Sequence, residues 1–518
     1  MSWTSSAGIV LPDLVPSSLR RRWVSKGFCP GRDLYSLFEV QVRCRPDQEA
    51  VVDEGGSLTY AELGREVRVL AVTLSSAGLF SQDIIGIQVR NGRLAVIAEL
   101  AVAAVGAVAL PIPSGRDQAE AILLLGRARA SAALVDDASP ISAAQHHLPR
   151  LRDVFVLPLE AGRTSTNWVS YRVDPESPAR IVVSSGAAGD PKMVAYSHNA
   201  IAGGLANHLR GLHVAPEGIR DLLLVPLASA NGSFGATVTL ACFGGTLILP
   251  REFDAAVALR MAGAHRATHV FGEPAMLGRM AELVPRLLSF PAMEAVVSSG
   301  DFIPQSTVNA CRRAFGADVI SVYASSGGVH CQTRGPHHSA GLPDPAVAEI
   351  RIVDGEVLVR GPVSPLCYVA TPGLDARYRT LDGWLRTGDA GHLAPDGELH
   401  LLGRIDRAQH AGKALRPADI ERELGTHPAV AEVACVTLPD SGSRERLCAC
   451  VVPRPGHALP TLADFTAFLF EQRGLPLHEL PGHLLLVSEL PRTNTGRVCR
   501  ATLSQLIAQR GLAVHGHE

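Results

Sequence analysis

A short β-branched run that ends in Gly, Pro, Ser or Asp recurs along the chain and constrains its fold more than any other feature. The runs include IIGIQV, VALPIP, RIVVSSG, DLLLVPL, THVFGEP, MEAVVSSGD and ADVISVYASSG, and helix-like stretches separate several of them. Alternating strands and helices predict an α/β protein whose sheets are flanked by helices. Because open α/β sheets bind ligands beyond the carboxyl ends of their strands, the small and polar residues that end these runs predict a ligand site.

The spacing of the predicted strands changes in the second half of the chain. From about residue 345, AEIRIVDGEVLVRGP and GELHLLGR predict closely spaced strands and therefore an antiparallel subdomain. The C-terminal stretch predicts a helix and two strands in a separable unit, and 518 residues exceed what a single core usually organises. We therefore expect a large N-terminal domain of mixed sheets over residues 1–405 and a small, mobile α+β C-terminal domain over residues 406–518.

Composition and charge exclude several classes of function. Lys and Arg number 48 against 50 Asp and Glu, and the only conspicuous basic block is a run of arginines at 20–22, so no nucleic-acid partner is expected. The longest apolar stretch, 94–113, is interrupted by Glu99 and predicts a buried helix that runs into a strand rather than a membrane span. Cys448 and Cys450 alternate as strand residues do, and the N-terminus lacks a signal-peptide pattern. A cytoplasmic protein with reduced thiols is expected.

The segment RIVVSSGAAGDPKMVAYSHNA carries the most specific local signal. Small residues at 184–189 follow an apolar strand, and Lys192 comes shortly after them. Such a loop can bring its backbone N–H groups against phosphates while the lysine adds positive charge. The spacing is not that of a Walker A loop, and the loop alone is also compatible with a tight connection from a strand to a helix.

In this loop and in further motifs the chain resembles the adenylate-forming superfamily of acyl-CoA synthetases, peptide-synthetase adenylation domains and luciferases. The loop is similar to the family's TSGTTGxPKG, and His198 stands where a later histidine is usual. The N-terminal SSLRRRWVSKGFCPGRDLYSLFE further resembles the lead-in of stand-alone aryl-acid AMP ligases. The other matching motifs are LTYAELGREVRVLA, GAVALPIP, WLRTGD at 384–389, GRID at 403–406, PADIE at 417–421 and PRTNTGR at 491–497.

The resemblance implies an ATP site assembled from several motifs, with Mg²⁺ as the expected metal. Asp389 would accept hydrogen bonds from both ribose hydroxyls, Tyr323 would stack on adenine, and Arg404 would contact the ribose or the phosphates. Asp406 matches the hinge about which the small domain rotates between two reaction steps. The remaining positions implied are Lys192 and Arg497 as catalytic cations and, around the nucleotide, Ser184, Ser185, Gly186, Gly189, Gly300, Asp301 and Ser326.

The chain departs from the family pattern at catalytic positions. Ala187 and Ala188 replace the hydroxyl pair of the loop, and Gly327 replaces a glutamate associated with Mg²⁺, which prefers oxygen ligands. Arg497 replaces a lysine and presents a planar fork in place of a compact ammonium. The acid pocket is also unusual, because a small-residue segment stands where an aromatic residue and a histidine are common. The implied substrate-binding positions are Ser229, Ala230, Glu273, Gly300 and Gly327.

Three functions are compatible with these residues. The first, which we favour, is activation of a small aromatic acid as an AMP anhydride with release of pyrophosphate, in bacterial secondary metabolism. The second is suggested by the diazotase branch of the superfamily, which activates nitrite and delivers it to an aromatic amine. Glu273 would face that amine if it lines the pocket, and is otherwise a surface or structural carboxylate. The third is nucleotide binding without turnover.

The acceptor of the activated group is left open by the sequence. CoA and a separate carrier protein are both candidates, although the stretch from Asp406 to Gly412, which helps to shape the family's pantetheine tunnel, is one residue shorter than usual. No carrier domain follows within the chain, so a carrier would be a separate protein.

Overall fold

The computed structural model describes most of the chain. The described residues are 2–114, 118–136, 141, 145–159, 169–184, 191–213, 218–230, 232–284, 289–300, 303–325, 327–334, 339–405, 417–439, 445–473, 475, 480–492 and 498–509.

Helices and strands are numbered here in chain order. The helices are α1 Ser17–Ser25, α2 Leu34–Cys44, α3 Tyr60–Ser76, α4 Arg93–Ala104, α5 Gln118–Arg127, α6 Ala206–Leu212, α7 Ala255–Ala264, α8 Pro274–Leu283, α9 Gln305–Phe315, α10 Pro372–Tyr378, α11 Pro417–Leu424, α12 Leu462–Ala467 and α13 Arg500–Gln509. Shorter helical turns are the 3-10 turn Gln145–His147 and the π-helical segments Ala200–Leu205, Gly235–Leu240 and Phe468–Gln472.

The strands are short, as the punctuated runs predict. They are β1 Ser2–Thr4, β2 Val10–Pro12, β3 Glu49–Asp53, β4 Gly56–Thr59, β5 Ile84–Gln88, β6 Val108–Pro111, β7 Ala132–Val135, β8 Asp153–Val156, β9 Pro178–Ser184, β10 Lys192–Ser197, β11 Arg220–Leu223, β12 Thr246–Ile248, β13 His269–Gly272, β14 Ala295–Ser299, β15 Asp318–Ser325, β16 Gly328–Thr333, β17 Glu349–Val353, β18 Glu356–Arg360, β19 Cys367–Tyr368, β20 Leu385–Leu393, β21 Leu399–Arg404, β22 Val430–Pro439, β23 Glu445–Pro453 and β24 His483–Leu486.

Within the described ranges, two large mixed sheets carry most of the fold. The seven-stranded sheet has the order β19–β10–β9–β6–β5–β7–β8, and β10 is antiparallel to both of its neighbours. The eight-stranded sheet has the order β16–β15–β14–β13–β11–β12–β3–β4, with a parallel centre and antiparallel strands at its two edges. This arrangement of sheets and helices agrees with the α/β class that the alternating runs predict.

Two smaller sheets follow in the second half of the chain. The strands β17, β18, β20 and β21 form the antiparallel subdomain expected from the closely spaced runs. The three-stranded sheet β22–β23–β24 packs with α11 and α12 around a core of its own, which includes Ile420, Leu447 and Phe465. The proposed domain boundary at 405/406 adjoins residues 406–416, which lie outside the described part, and it stays a prediction.

Local sequence accounts for the helices that frame the large sheets. Thr59 and Glu62 form a capping box at the start of α3, where the Thr59 side chain accepts from the Glu62 N–H and the Glu62 carboxylate accepts from the Thr59 N–H. Helix α4 is apolar around most of its circumference and is buried, and β6 follows it directly, as predicted for 94–113. Among the described helices, none is long and apolar enough to cross a membrane.

One hydrophobic core joins the two large sheets. It contains Ile85 and Leu134 of the seven-stranded sheet, Leu223 and Val297 of the eight-stranded sheet, and Leu100 of α4. Cys448 and Cys450 also behave as predicted, because both lie in β23 and are fully buried.

A buried ion pair crosses this core. Arg180 of β9 donates to the Glu99 carboxylate of α4 at 2.5 Å, and the two side chains are only 3% and 4% exposed. The same guanidinium donates to the carbonyl of Leu227, which follows β11 of the other sheet, at 3.0 Å. Arg180 therefore links the two sheets by polar contacts as well as by packing.

We expect Glu99→Leu to destabilise the protein by about 3–5 kcal/mol, because it leaves the Arg180 charge buried without its carboxylate. Thermal and urea unfolding would measure the loss. Adding Arg180→Met should recover most of it, since the second change removes the stranded charge. The matched control is Asp318→Asn, which breaks an exposed pair with Arg334 whose side chains are 61% and 40% exposed and should cost about 0–1 kcal/mol. A Glu99→Leu protein as stable as that control would contradict the expectation.

Candidate active site

The carboxyl ends of β11, β13, β14 and β15 meet at one edge of the eight-stranded sheet. The parallel register places Leu223 beside Phe271, Gly272 beside Ser298, and Ser299 beside Val322. The segments that follow β11, β13 and β14 therefore share this edge and contain the predicted positions Ser229, Glu273 and Gly300. Tyr323 lies near the carboxyl end of β15 itself. The edge is hereafter the strand-end edge.

A hydrogen bond joins the strand-end edge to the antiparallel subdomain. The Tyr323 hydroxyl of β15 donates to Oδ2 of Asp389 in β20 at 2.6 Å. Burial and the Asp389 carboxylate raise the pKa of Tyr323 well above its usual value, so the phenol keeps its proton and remains a donor. Two positions predicted to bind the adenine and the ribose are thus in direct contact.

The neighbours of Asp389 fix its backbone. Its N–H donates to the Thr387 hydroxyl at 3.0 Å, and that hydroxyl donates to the carbonyl of Val357 at 2.8 Å. In the ladder of β20 and β21, Asp389 stands directly opposite Arg404. The strand register therefore brings the RTGD and GRID motifs together, although the Arg404 side chain lies outside the described part.

Directly after the turn between β15 and β16, strand β16 contains a histidine that the sequence motifs do not identify. His330 Nε2 lies 2.7 Å from the Ser325 hydroxyl, which also accepts from the Gly327 N–H at 3.0 Å. Burial lowers the pKa of His330 to about 3, so its imidazole is neutral at physiological pH and its ring packs edge-on to Tyr323 at 5.2 Å. The only sequence signal is its position in a strand directly after the SSGG turn.

Gly327 is buried in the same turn and leaves little room for a side chain. A Cβ atom there would lie 3.2 Å from Leu385 Cδ1 and 3.4 Å from the Ser325 hydroxyl oxygen. The departure from the family glutamate therefore coincides with close packing of the turn against β20. Gly300 also has a structural reason, because its φ of +102° lies in the region that favours glycine.

The phosphate-type loop connects two antiparallel neighbours. Lys192 begins β10 and pairs directly with Ser184 at the end of β9, so the loop does not lead from a strand into a helix. The alternative of a strand-to-helix connection is therefore wrong, because the strand β10 follows the loop. The Lys192 ammonium lies 4.5 Å from the ring centroid of Tyr378, a cation–π distance.

His198 has a packing role. It is fully buried, its Nδ1 accepts from the Leu34 N–H at 3.2 Å, and burial lowers its pKa to about 4. The neutral ring thus ties the end of β10 to the start of α2 in the described structure.

The positions predicted to bind the acid substrate differ in their contacts and burial. The Ser229 hydroxyl donates to the Pro226 carbonyl at 2.7 Å and accepts from the Gly232 N–H at 3.0 Å, so it stabilises its own turn. Ala230 is exposed. Glu273 is 1% exposed where β13 ends and α8 begins, so a surface carboxylate is excluded and the alternative of a structural carboxylate stays open.

Two polar side chains hold the segment that carries Ser229. The Asn91 amide donates to the Val225 carbonyl at 3.2 Å, and its oxygen accepts from the Leu227 N–H at 2.7 Å. Arg180 binds the carbonyl of the same Leu227. This segment, which follows β11 of the eight-stranded sheet, is therefore held by side chains from β9 and from the residues directly after β5 in the seven-stranded sheet.

Some of the predicted site residues lie outside the described part of the chain, so their assigned roles stay predictions. They are Ser185, Gly186, Gly189, Asp301, Ser326, Asp406 and Arg497.

Known proteins resemble this chain along nearly its whole length. The family model for AMP-binding enzymes matches residues 38–371, and the model for the AMP-binding enzyme C-terminal domain matches residues 419–497. Triostin synthetase I of Streptomyces triostinicus is 28% identical over 96% of this chain and 97% of its own length. The salicyl-AMP ligase / salicyl-S-ArCP synthetase of Mycobacterium tuberculosis is 27% identical over 96% of this chain and 94% of its own length. The solved amide bond synthetase McbA of Marinactinospora thermotolerans is 28% identical, with a TM-score of 0.79 over 91% of this chain and 99% of its own, and confirms the fold class.

We expect Tyr323→Phe to raise the KM for ATP about tenfold with little change in kcat, because it removes one hydrogen bond to the charged Asp389, worth about 1.5–3 kcal/mol. Steady-state kinetics with varied ATP would measure this. Tyr171→Phe is the control, since that tyrosine is 52% exposed. An unchanged KM in Tyr323→Phe would rule out a positioning role for the phenol.

Proposed function

Since the chain belongs to the AMP-binding enzyme family and is an ATP-dependent, AMP-forming ligase, we propose that it activates a small aromatic acid and releases pyrophosphate. The family match confirms the resemblance carried by the sequence motifs. The hydrogen bond between Tyr323 and Asp389 is the observation that carries the proposed nucleotide site, because it joins two positions with complementary roles at the strand-end edge. The aromatic acid is supported by the relative named as a salicyl-AMP ligase.

The proposed reaction is an in-line displacement at phosphorus. A carboxylate oxygen of the acid attacks the α-phosphorus of ATP, the bond from that phosphorus to the bridging oxygen breaks, and pyrophosphate leaves. Negative charge is redistributed over the phosphate oxygens, so the cations of Lys192 and Arg497 would stabilise the transition state. Asp389 would hold the ribose and so set the distance and angle of attack.

Glu273 narrows the class of acid that we propose. It is a buried carboxylate beside the strand ends, and an acid presenting only apolar surface there would gain no hydrogen bond from it. An amino or hydroxyl substituent on the ring could donate to this carboxylate. We therefore propose an aromatic acid that carries such a donor.

The activated group would pass to a thiol or an amine. The relatives include a salicyl-AMP ligase also named as a salicyl-S-ArCP synthetase, and an amide bond synthetase. These names support both kinds of acceptor, so we propose acyl transfer to CoA, to a separate carrier protein or to an amine as the second step.

Pyrophosphate release with a panel of aromatic acids tests the proposed first step. We expect release that depends on ATP and on an amino- or hydroxy-substituted benzoate, and hydroxylamine should trap the acyl-adenylate. Asp389→Ala should lower kcat/KM for ATP by about 10²–10³-fold, because two hydrogen bonds to a charged group are lost.

The control for Asp389→Ala is Asp396→Ala, an exposed aspartate in the β20–β21 turn of the same sheet, which should keep wild-type activity. Release that requires nitrite and an arylamine in place of an acid would overturn the acyl proposal. Nucleotide binding without release under any condition would leave only a binding protein.

The Gly327→Glu variant tests whether Mg²⁺ binds near position 327, where the family has a glutamate associated with this ion. We expect it to lower the Mg²⁺ concentration for half-maximal pyrophosphate release, because it adds a hard oxygen ligand at the family position. Gly327→Gln is the matched control, since it introduces the same bulk beside Leu385 without the charge. If the two variants respond equally to Mg²⁺, the ion does not bind near position 327.

A further inference from the structure

A buried group of two histidines and one aspartate lies at the opposite edge of the eight-stranded sheet from the strand-end edge. His213 follows α6, Asp221 is the second residue of β11, and His269 is the first residue of β13. Their exposures are 8%, 0% and 1%, and one ligand atom from each lies within 4.8 Å of those of the other two. The proposed reaction uses none of these side chains.

Hydrogen bonds already orient the three side chains. His213 Nδ1 lies 2.7 Å from the Leu209 carbonyl, and Asp221 Oδ2 accepts from the Thr239 hydroxyl at 2.6 Å. The second nitrogen of His213, Nε2, then faces Asp221 Oδ1 at 3.0 Å. Histidines that bind metals are characteristically held in this way, with the other ring N–H donated to a carbonyl or carboxylate.

The His213 ring lies between two oxygen acceptors. Its Nδ1 faces the Leu209 carbonyl and its Nε2 faces the Asp221 carboxylate, so the nitrogen directed into the group already faces an oxygen ligand. The centroid of the His269 ring lies 4.1 Å from that of His213. His269 Nδ1 lies 3.1 Å from the Thr268 hydroxyl, and its Nε2 lies 3.4 Å from the Leu212 carbonyl.

A second carboxylate lies close to this group. Glu294 Oε2 is buried, has no hydrogen-bond partner among the described residues, and lies 4.0 Å from His269 Nε2. Arg334 is the nearby cation, and it donates to the carbonyls of Gly211 and Leu212 at the end of α6. The charged groups that face the two imidazoles are thus Asp221, Glu294 and Arg334.

We propose that His213, Asp221 and His269 bind one divalent transition-metal ion of the Zn²⁺ type, with a water molecule as the fourth ligand. Two imidazoles with carboxylate oxygens form a typical ligand set for this ion. Because imidazole and carboxylate ligands must be unprotonated where they bind the ion, affinity falls as the pH is lowered. Bound metal ties the end of α6 to the first residues of β11 and β13.

Metal binding by the full-length, tag-free protein after dialysis against a chelator tests this proposal. We expect a single equivalent of Zn²⁺ to bind and to raise the thermal midpoint. Co²⁺ should give the visible absorption bands of a four-coordinate site in the unmodified protein, which requires no variant to fold. Asp221→Asn and His269→Gln should abolish binding, and Thr239→Val should weaken it about 10–100-fold, because it removes only the orienting hydroxyl.

The matched control is His392→Gln, because His392 and His400 stack at 5.2 Å on a more exposed surface and could hold an adventitious ion. That variant should bind Zn²⁺ as the wild type does. Loss of binding in His392→Gln but not in Asp221→Asn would overturn the proposal, as would a chelator-treated wild type that takes up neither ion. Pyrophosphate release is not part of the readout, so this test is independent of the proposed reaction.

Discussion

The buried contact between Arg180 and Glu99 is the constraint on which the relation of the two large sheets depends. A guanidinium cannot be neutralised in a protein interior, so it must find acceptors wherever the fold places it. Here it finds a carboxylate on α4 and the Leu227 carbonyl beyond β11 of the other sheet. A buried pair of this kind is weak support for stability compared with apolar packing, but it demands a defined geometry. Together with apolar packing, these contacts fix the position of the two sheets relative to each other and the position of the segment that carries Ser229.

The candidate site divides into two halves with different character. The proposed nucleotide half is built from contacts between secondary-structure elements, with Tyr323 on one sheet and Asp389 on another. The proposed acid half is built from tight turns, in which the Ser229 hydroxyl makes its hydrogen bonds within its own loop and Gly327 packs against Leu385. At Gly327, the departure from the family motif therefore lies where little space is left for a side chain.

Much of the fold could be predicted because its signals are local in the sequence. Punctuated β-branched runs predict the strands, and the capping box at Thr59 is readable from four adjacent residues. The sequence does not predict strand β10, because the small-residue loop before it is also compatible with a connection to a helix. The family motifs predict Tyr323 and Asp389 but not their contact, and His330 carries no motif at all. The burial of Glu273 and the pairing of Arg180 with Glu99, which are 81 residues apart, depend on tertiary packing that no local pattern specifies.

The hydrogen bond between Tyr323 and Asp389 also affects how a bound nucleotide would be recognised. One carboxylate oxygen is held by the phenol, so the plane of the carboxylate is set before any ligand arrives and little rotational freedom remains to be lost. In the proposed roles, the same tyrosine ring would lie against the base. The base and the sugar would then not be recognised independently, because an altered base that tilts the ring would also turn the carboxylate. Penalties for changes to the two parts of the nucleotide would be non-additive, as is general for groups that share a contact.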